Sequence, residues 1–257
     1  NDILNTSNYS SIVGGENNTV GIISRNSSIV SGSGNTVSLS TYSFIGGGFN
    51  NTIDRLNSAE IFSVKNFIGG GANNHIYNSA YSTMVGGYQN YINGGGYNNS
   101  IIGGGKRNTI TGYSPYTAIL GGSGNTINQY GWFNVIGGGK GNTIDFATYS
   151  FIGGGESNTI STYSYTSSIV GGKNNTISDY AEYSSILGGY NNKANLFNSH
   201  IIGSNITAVT TNTTHVEKLN IKTLNGTTAV TSLAIDADGM VVSATTGGGT
   251  FTGNTSG

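Results

Sequence analysis

Ser27-Ser28-Ile29-Val30-Ser31-Gly32-Ser33-Gly34-Asn35-Thr36-Val37 is followed sixteen residues on by Ser43-Phe44-Ile45-Gly46-Gly47-Gly48-Phe49-Asn50-Asn51-Thr52-Ile53, and the two align without a gap. A central aliphatic residue stands two places after a serine. Six places later comes an asparagine, and two further on a β-branched residue. Extended in both directions, the pattern recurs eleven times, centred on Ile12, Ile29, Ile45, Ile68, Met84, Ile102, Ile119, Ile136, Ile152, Ile169 and Ile186. The matching asparagines are Asn18, Asn35, Asn51, Asn74, Asn90, Asn108, Asn125, Asn142, Asn158, Asn175 and Asn192. The residue two before the centre is always Ser, Thr or Asn, and the one three before is often aromatic (Tyr9, Tyr42, Tyr81, Tyr116, Phe133, Tyr149, Tyr183). A degenerate twelfth copy follows at His200-Ile201-Ile202-Gly203-Ser204-Asn205.

Self-similarity at a short fixed period marks a repeat architecture. About 17 residues is too short for a helix pair, and β-branched residues between Gly-Gly and Asn-Asn turns suit one coil of a parallel β-solenoid. The expected coil has a strand around the central residue, a glycine turn, a second strand at Asn-Thr-Ile and a return loop. Strand spacing of about 4.8 Å makes eleven coils a rod of roughly 50 Å. Identical asparagines are expected to stack amide on amide.

Composition agrees with such a rod. Charged residues make up 8% of the 257, against about 25% in ordinary soluble domains. The net charge of −1 gives no footprint for nucleic acid or an anionic membrane. No apolar run approaches the roughly 18 residues of a membrane-spanning helix. The absence of Cys fits either redox compartment. With no initiating Met and no signal peptide, the chain reads as a processed form or a segment of a longer one.

The residues on either side of each centre share the face opposite it. In six repeats the earlier one is small and the later bulky: Ser11/Val13, Ser28/Val30, Thr83/Val85, Ala118/Leu120, Ser168/Val170 and Ser185/Leu187. In the other five the order reverses: Phe44/Gly46, Phe67/Gly69, Ile101/Gly103, Val135/Gly137 and Phe151/Gly153. One large side chain per layer suggests that this face is packed as well, and symmetry offers the partner. Three copies meeting along a threefold axis leave each layer room for one bulky residue per chain. The predicted axial face is Val13, Val30, Phe44, Phe67, Val85, Ile101, Leu120, Val135, Phe151, Val170 and Leu187. Gly46→Phe is accordingly expected to disturb assembly more than Ser43→Phe. A monomeric solenoid with an internal cover is the alternative, although no helical pattern is present to supply one.

The repeats, from Ser10-Ser11-Ile12-Val13-Gly14-Gly15 and Asn18-Thr19-Val20 to about residue 205, resemble the head domains of trimeric autotransporter adhesins and related solenoids of phage tail fibres. That resemblance implies a left-handed parallel β-roll trimer with a role in attachment. Repeats in those families are shorter, near fourteen residues, so the coil shape is expected to differ. Leu233-Ala234-Ile235-Asp236-Ala237-Asp238-Gly239-Met240-Val241-Val242-Ser243 is similar to a segment common in phage tail-fibre-like proteins.

Composition changes near residue 206, so three regions are expected: a repeat solenoid over 1–205, a β-rich shaft over 206–246, and a Gly/Thr linker or the start of a further segment over 247–257. Residues 215–224 alternate at period two in their second half, as a half-buried strand does. Asp236-Ala237-Asp238-Gly239 is a hairpin-turn signal between two short apolar runs. A β-prism continuing the threefold axis is the expected form of the shaft.

Catalytic and metal motifs fail on inspection. Gly103-Gly104-Gly105-Lys106 lacks the Ser/Thr and the helix of a phosphate loop, and such triplets recur by period. Asp236-x-Asp238-Gly239 lacks the glycine placement and final Glu of an EF-hand. The acid of calcium-binding nonapeptide solenoids is missing. His75, His200 and His215 have no metal-ligand spacing, and no pair of acids suggests a glycosidase. No cofactor, metal or catalytic residue is expected. Asn-x-Thr triplets match the glycosylation acceptor but follow from the repeat, and stacked asparagines leave no room for glycans. The aromatic column reads either as an axial or core ladder or as a stacking row for sugars. The insertion Asp54–Lys65 is expected to protrude as a loop, either binding or decorative; Trp132 stays open. A column of threonines resembles an ice-binding surface but breaks at His75, Tyr91 and Lys193.

The expected function is that of a non-enzymatic extracellular fibre or adhesin on a virion or cell surface. Its expected partners are its own copies, neighbouring fibre segments, and a cell-surface glycan or protein receptor. A self-assembling extracellular filament or surface-layer component is the alternative.

Overall fold

The computed structural model describes residues 1–55, 65–97 and 99–218, and the two strands 233–235 and 241–243. Within 1–218 the chain is an all-β parallel β-solenoid of about twelve turns, with no helix among the described residues. One sheet stacks twelve strands, from Asp2–Ile3 to Lys193–Ala194. The other stacks thirteen, from Ser11–Ile12 to Thr213–Val216. Every pairing in both is parallel, in a register that sets central residue on central residue and Asn-Thr-Ile on Asn-Thr-Ile. A third line of single bridges runs from Glu16 to Tyr190 along the glycine turn.

Most strands are two residues long because each side of the coil is short before the chain turns. Inward positions fall at the serine, the central residue, the asparagine and the following β-branched residue. Ten of the eleven central residues are fully buried, and Ile12, in the first turn, is partly so. Val20, Val37, Ile53 and their successors complete a core two aliphatic side chains wide.

The asparagines do more than stack amide on amide. Asn51 donates its backbone N–H to Asn35 Oδ1 at 3.0 Å, and Asn35 Nδ2 donates to the carbonyls of Ser31 and of Gly48 in the next coil at 3.1 and 3.0 Å. The turn leaves the Ser31 carbonyl facing the core without a backbone donor, where an unpaired polar group is costly. The amide is a second donor to the Gly48 carbonyl, which also accepts from the Ser33 N–H at 2.9 Å. Only an amide supplies two donors and an acceptor at one point. Direct amide–amide bonds accompany this in some coils, as from Asn158 to Asn142 at 3.1 Å. The Ser/Thr/Asn column works likewise at the other corner: Ser27 Oγ donates to the Ser40 carbonyl at 2.8 Å and accepts from the Ser43 N–H at 3.1 Å.

Four columns per coil adopt left-handed backbone. Gly15, Gly32, Gly48 and their successors to Gly189 have φ of 76–96°, and a Cβ there would overlap the carbonyl oxygen of the matching glycine one coil on. These glycines are obligatory. The other three columns carry ordinary side chains. The aromatic residues three before the centres have φ of 54–61°, and even β-branched Ile23 sits at 56°. Such a conformation is unfavourable for these residues, and the neighbouring coil holds it. Tyr149 donates its N–H back to the Trp132 carbonyl at 2.9 Å, whereas strand residues such as Ser28 donate forward, to Ser43 at 3.0 Å.

The parallel stack continues past the compositional change near residue 206, because Thr213–Val216 pairs with Ser199–Ile202. Further on, Leu233–Ile235 pairs antiparallel with Val241–Ser243. The turn expected at 236–239, the linker at 247–257 and the insertion over 56–64 lie outside the described residues.

Candidate functional site

Two outward faces of the same coil differ in kind. On the sheet of Asn-Thr-Ile strands the outward column is Thr19, Thr36, Thr52 and their successors, half-buried and polar, with His75 and Tyr91 in register. On the opposite sheet the column is apolar. Val13, Val30, Phe44, Phe67, Val85, Ile101, Leu120, Phe151, Val170 and Leu187 are exposed, from 36% at Phe44 to 75% at Val13; Val135 is half-buried. Ile202 and Val216 carry the stripe into the last turns. Phe44 and Phe67 stack along it, 5.5 Å between centroids.

The small/bulky alternation has a cause inside the chain that the repeats did not reveal. A Cβ at Gly46, Gly69, Gly103, Gly137 or Gly153 would overlap a backbone carbonyl oxygen of the next coil. In the phenylalanine coils the ring also lies over its own glycine, with Cε1 3.5, 3.3 and 3.3 Å from that Cβ site at Gly46, Gly69 and Gly153. Glycine is thus fixed in these five layers without any sister chain. Gly46→Phe therefore does not isolate assembly, and Ser43 is a buried rung of the serine column and not a neutral control.

The aromatic column is a surface feature and not a core ladder. Tyr9, Tyr42, Tyr81, Tyr116, Phe133, Tyr149 and Tyr183 are all exposed. Tyr116, Phe133 and Tyr149 form a continuous stack, each pair 5.0 Å apart and within 5° of parallel. Beside it a second column runs through Tyr130, Phe146, Tyr163 and Tyr180. Between the two lies a groove of about 530 Å³ lined by Tyr130, Trp132, Thr148, Tyr149, Tyr165, Thr166 and Tyr183. Burial pushes the Tyr165 phenol above its usual pKa, with Tyr163, Glu182 and Tyr180 adding to the shift, so it stays a neutral hydroxyl. No sequence signal placed Trp132, Tyr149 and Tyr165 together, because their grouping depends on the stacking of three coils.

The histidines lie apart. His75 Nε2 meets Asp54 Oδ1 at 2.7 Å between Tyr77 and Tyr91. His200 joins Ser185 Oγ at 2.8 Å and Asn198 Oδ1 at 3.0 Å, and His215 approaches the Thr210 carbonyl at 3.4 Å. Ser185, His200 and Asn198 thus form a short hydrogen-bonded chain on the outward side of the last coils. Among the described residues no group of three His, Cys, Asp or Glu is placed to hold a metal ion, and no helix is long and apolar enough to cross a membrane. The acceptors of the repeat's Asn-Asn-Thr triplets, Asn17, Asn50 and Asn174, stand at exposed corners one residue before the buried ladder, so the lack of room inferred from stacking does not apply to them. No protein-family model matches the chain, and no curated protein is significantly similar to it.

Proposed function

We propose that the chain is a non-enzymatic extracellular fibre protein that assembles as a trimer through the apolar stripe and serves attachment on a virion or cell surface. The observation that carries this reading is the apolar stripe on one outward face, one Val, Ile, Leu or Phe per rung beside the centre and all but Val135 exposed, opposite a largely threonine column on the other. Isolated apolar residues on a surface are ordinary, whereas a contiguous stripe along a whole sheet marks an interaction face. The stripe is one side chain wide and repeats at every rung. A copy of the same chain is thus the partner that matches it in period and length. Three rods around a common axis bury one such column from each.

Sedimentation equilibrium tests the assembly, with an expected mass three times the 26.5 kDa of the single chain. A monomer at micromolar concentration overturns it. The resemblance to adhesin heads and tail fibres, together with the scarcity of charge and of catalytic constellations, favours attachment over chemistry.

A further inference from the structure

The geometry points to the aromatic groove at Trp132, Tyr149 and Tyr165 as a binding site for a neutral pyranose glycan, seated where threonines interrupt the two outer columns. This deepens the attachment reading and depends on it for biological purpose, though not for its chemistry.

Where the aromatic column is continuous it closes on itself. The Tyr116–Phe133–Tyr149 rings stack at 5.0 Å and admit nothing between them. Tyr149 therefore turns one face to Phe133 and the other along the rod towards Thr166, the next residue of its column. Beyond Thr166 the column resumes at Tyr183. One place earlier in the coil the same interruption occurs, with Thr148 between Trp132 and Tyr165. Each gap spans two strand spacings, about 10 Å. A flat ring held between two side chains needs two van der Waals contacts of about 3.5–4.0 Å each, so a gap of this size accepts one pyranose plate.

The lining matches that occupant. Every aromatic residue in it carries a polar tip, the two threonines add hydroxyls, and no charged side chain takes part. A pyranose presents an apolar C–H face ringed by hydroxyls, which pairs with aromatic bodies and polar tips. Glu182 places a negative charge within reach of Tyr165, which disfavours anionic sugars. The Tyr149, Thr166 and Tyr183 amides donate to the Trp132, Thr148 and Tyr165 carbonyls at 2.9 Å within the rod, so these backbone groups are already engaged.

Trp132 is the sole tryptophan, so its emission reports the groove directly. The full chain is titrated with maltohexaose, cellohexaose, mannohexaose, N-acetylchitohexaose and, as the anionic probe, hexagalacturonate. At least one neutral hexaose is expected to shift the emission saturably in the millimolar range or below, and hexagalacturonate is not. Tyr149→Ala and Tyr165→Ala are expected to weaken that response about tenfold or more, and Tyr42→Ala, outside the groove, to leave it unchanged. Thr148→Tyr fills a gap and is expected to abolish the response while circular dichroism stays native. No response to any neutral hexaose overturns the proposal, as does a response that survives Thr148→Tyr. An emission change that follows protein concentration alone also overturns it, by assigning the groove to a second copy. Sedimentation of the same samples separates the two readings, since a monomer that binds sugar discards the trimer and keeps the groove.

Discussion

At the residue scale, neighbouring glycines have different work. A Cβ added to Gly121 would meet no heavy atom within 4 Å, and that residue does not need left-handed backbone, whereas Gly122 sits at φ 86° with the Gly139 carbonyl in the way. Gly121→Ala is expected to change stability by no more than about 0.5 kcal/mol. Gly122→Ala combines overlap with backbone strain and is expected to cost more than about 2 kcal/mol, measured by denaturant unfolding. Equal effects would mean that the turn relaxes. Asparagine is equally exacting. Asn125 serves the Gly121 carbonyl at 3.0 Å, the Gly139 carbonyl at 3.1 Å and the Asn142 N–H at 3.0 Å. Asn125→Ala strands the Gly121 carbonyl and the Asn142 N–H, while the Gly139 carbonyl keeps the Ser123 N–H at 2.8 Å, and is expected to cost on the order of 3 kcal/mol; a loss below about 1 kcal/mol would show that water replaces the amide.

At the element scale, the coil was legible in the sequence wherever a position faces inward. Ile136 and Asn142 repeat because the interior admits one shape and one hydrogen-bonding pattern there. The left-handed corners were not legible: Tyr149, Thr166 and Ile23 give no turn signal, and only hydrogen bonds to the adjoining coil hold them in place. The same limit hid the groove, which arises from two threonine gaps that are neighbours only after stacking. Outward charges are similarly read only in register. Lys173 at 3.2 Å and Lys140 at 3.8 Å flank Glu156 from the coils on either side. The hydrogen bond and charge of Lys173, then the charge of Lys140, hold its carboxyl below the usual range. A depressed carboxyl stabilises the fold above its unfolded pKa, and that contribution disappears as pH falls through the folded value. Wild type is therefore expected to melt slightly above Glu156→Gln near neutral pH. The difference should shrink on acidification and vanish in about 1 M salt. A difference that persists in acid would assign it to packing.

At the scale of the whole molecule, the apolar stripe is the feature whose neglect would be most costly in water. Leu120 is 59% exposed and outside the core, so Leu120→Asp should leave the single rod folded. It is expected to reduce the sedimenting mass to that of one chain, while Thr126→Asp on the polar face of the same coil is not. A trimer that survives Leu120→Asp would move the interface off this face. The repeats put one bulky side chain on this outward face in every rung, but the alternation overstated the case for a sister chain, since the glycines opposite the phenylalanines have their own steric reason within the chain.

Each turn of the solenoid meets only the turn before and the turn after, in one repeated register. Height is therefore a copy number. Excising 118–134, one whole period, is expected to splice Thr117 to Val135 and to shorten the molecule by about 4.8 Å. Duplicating the same stretch should lengthen it by as much, so that tandem gene duplication and loss can adjust stature without inventing a new joint.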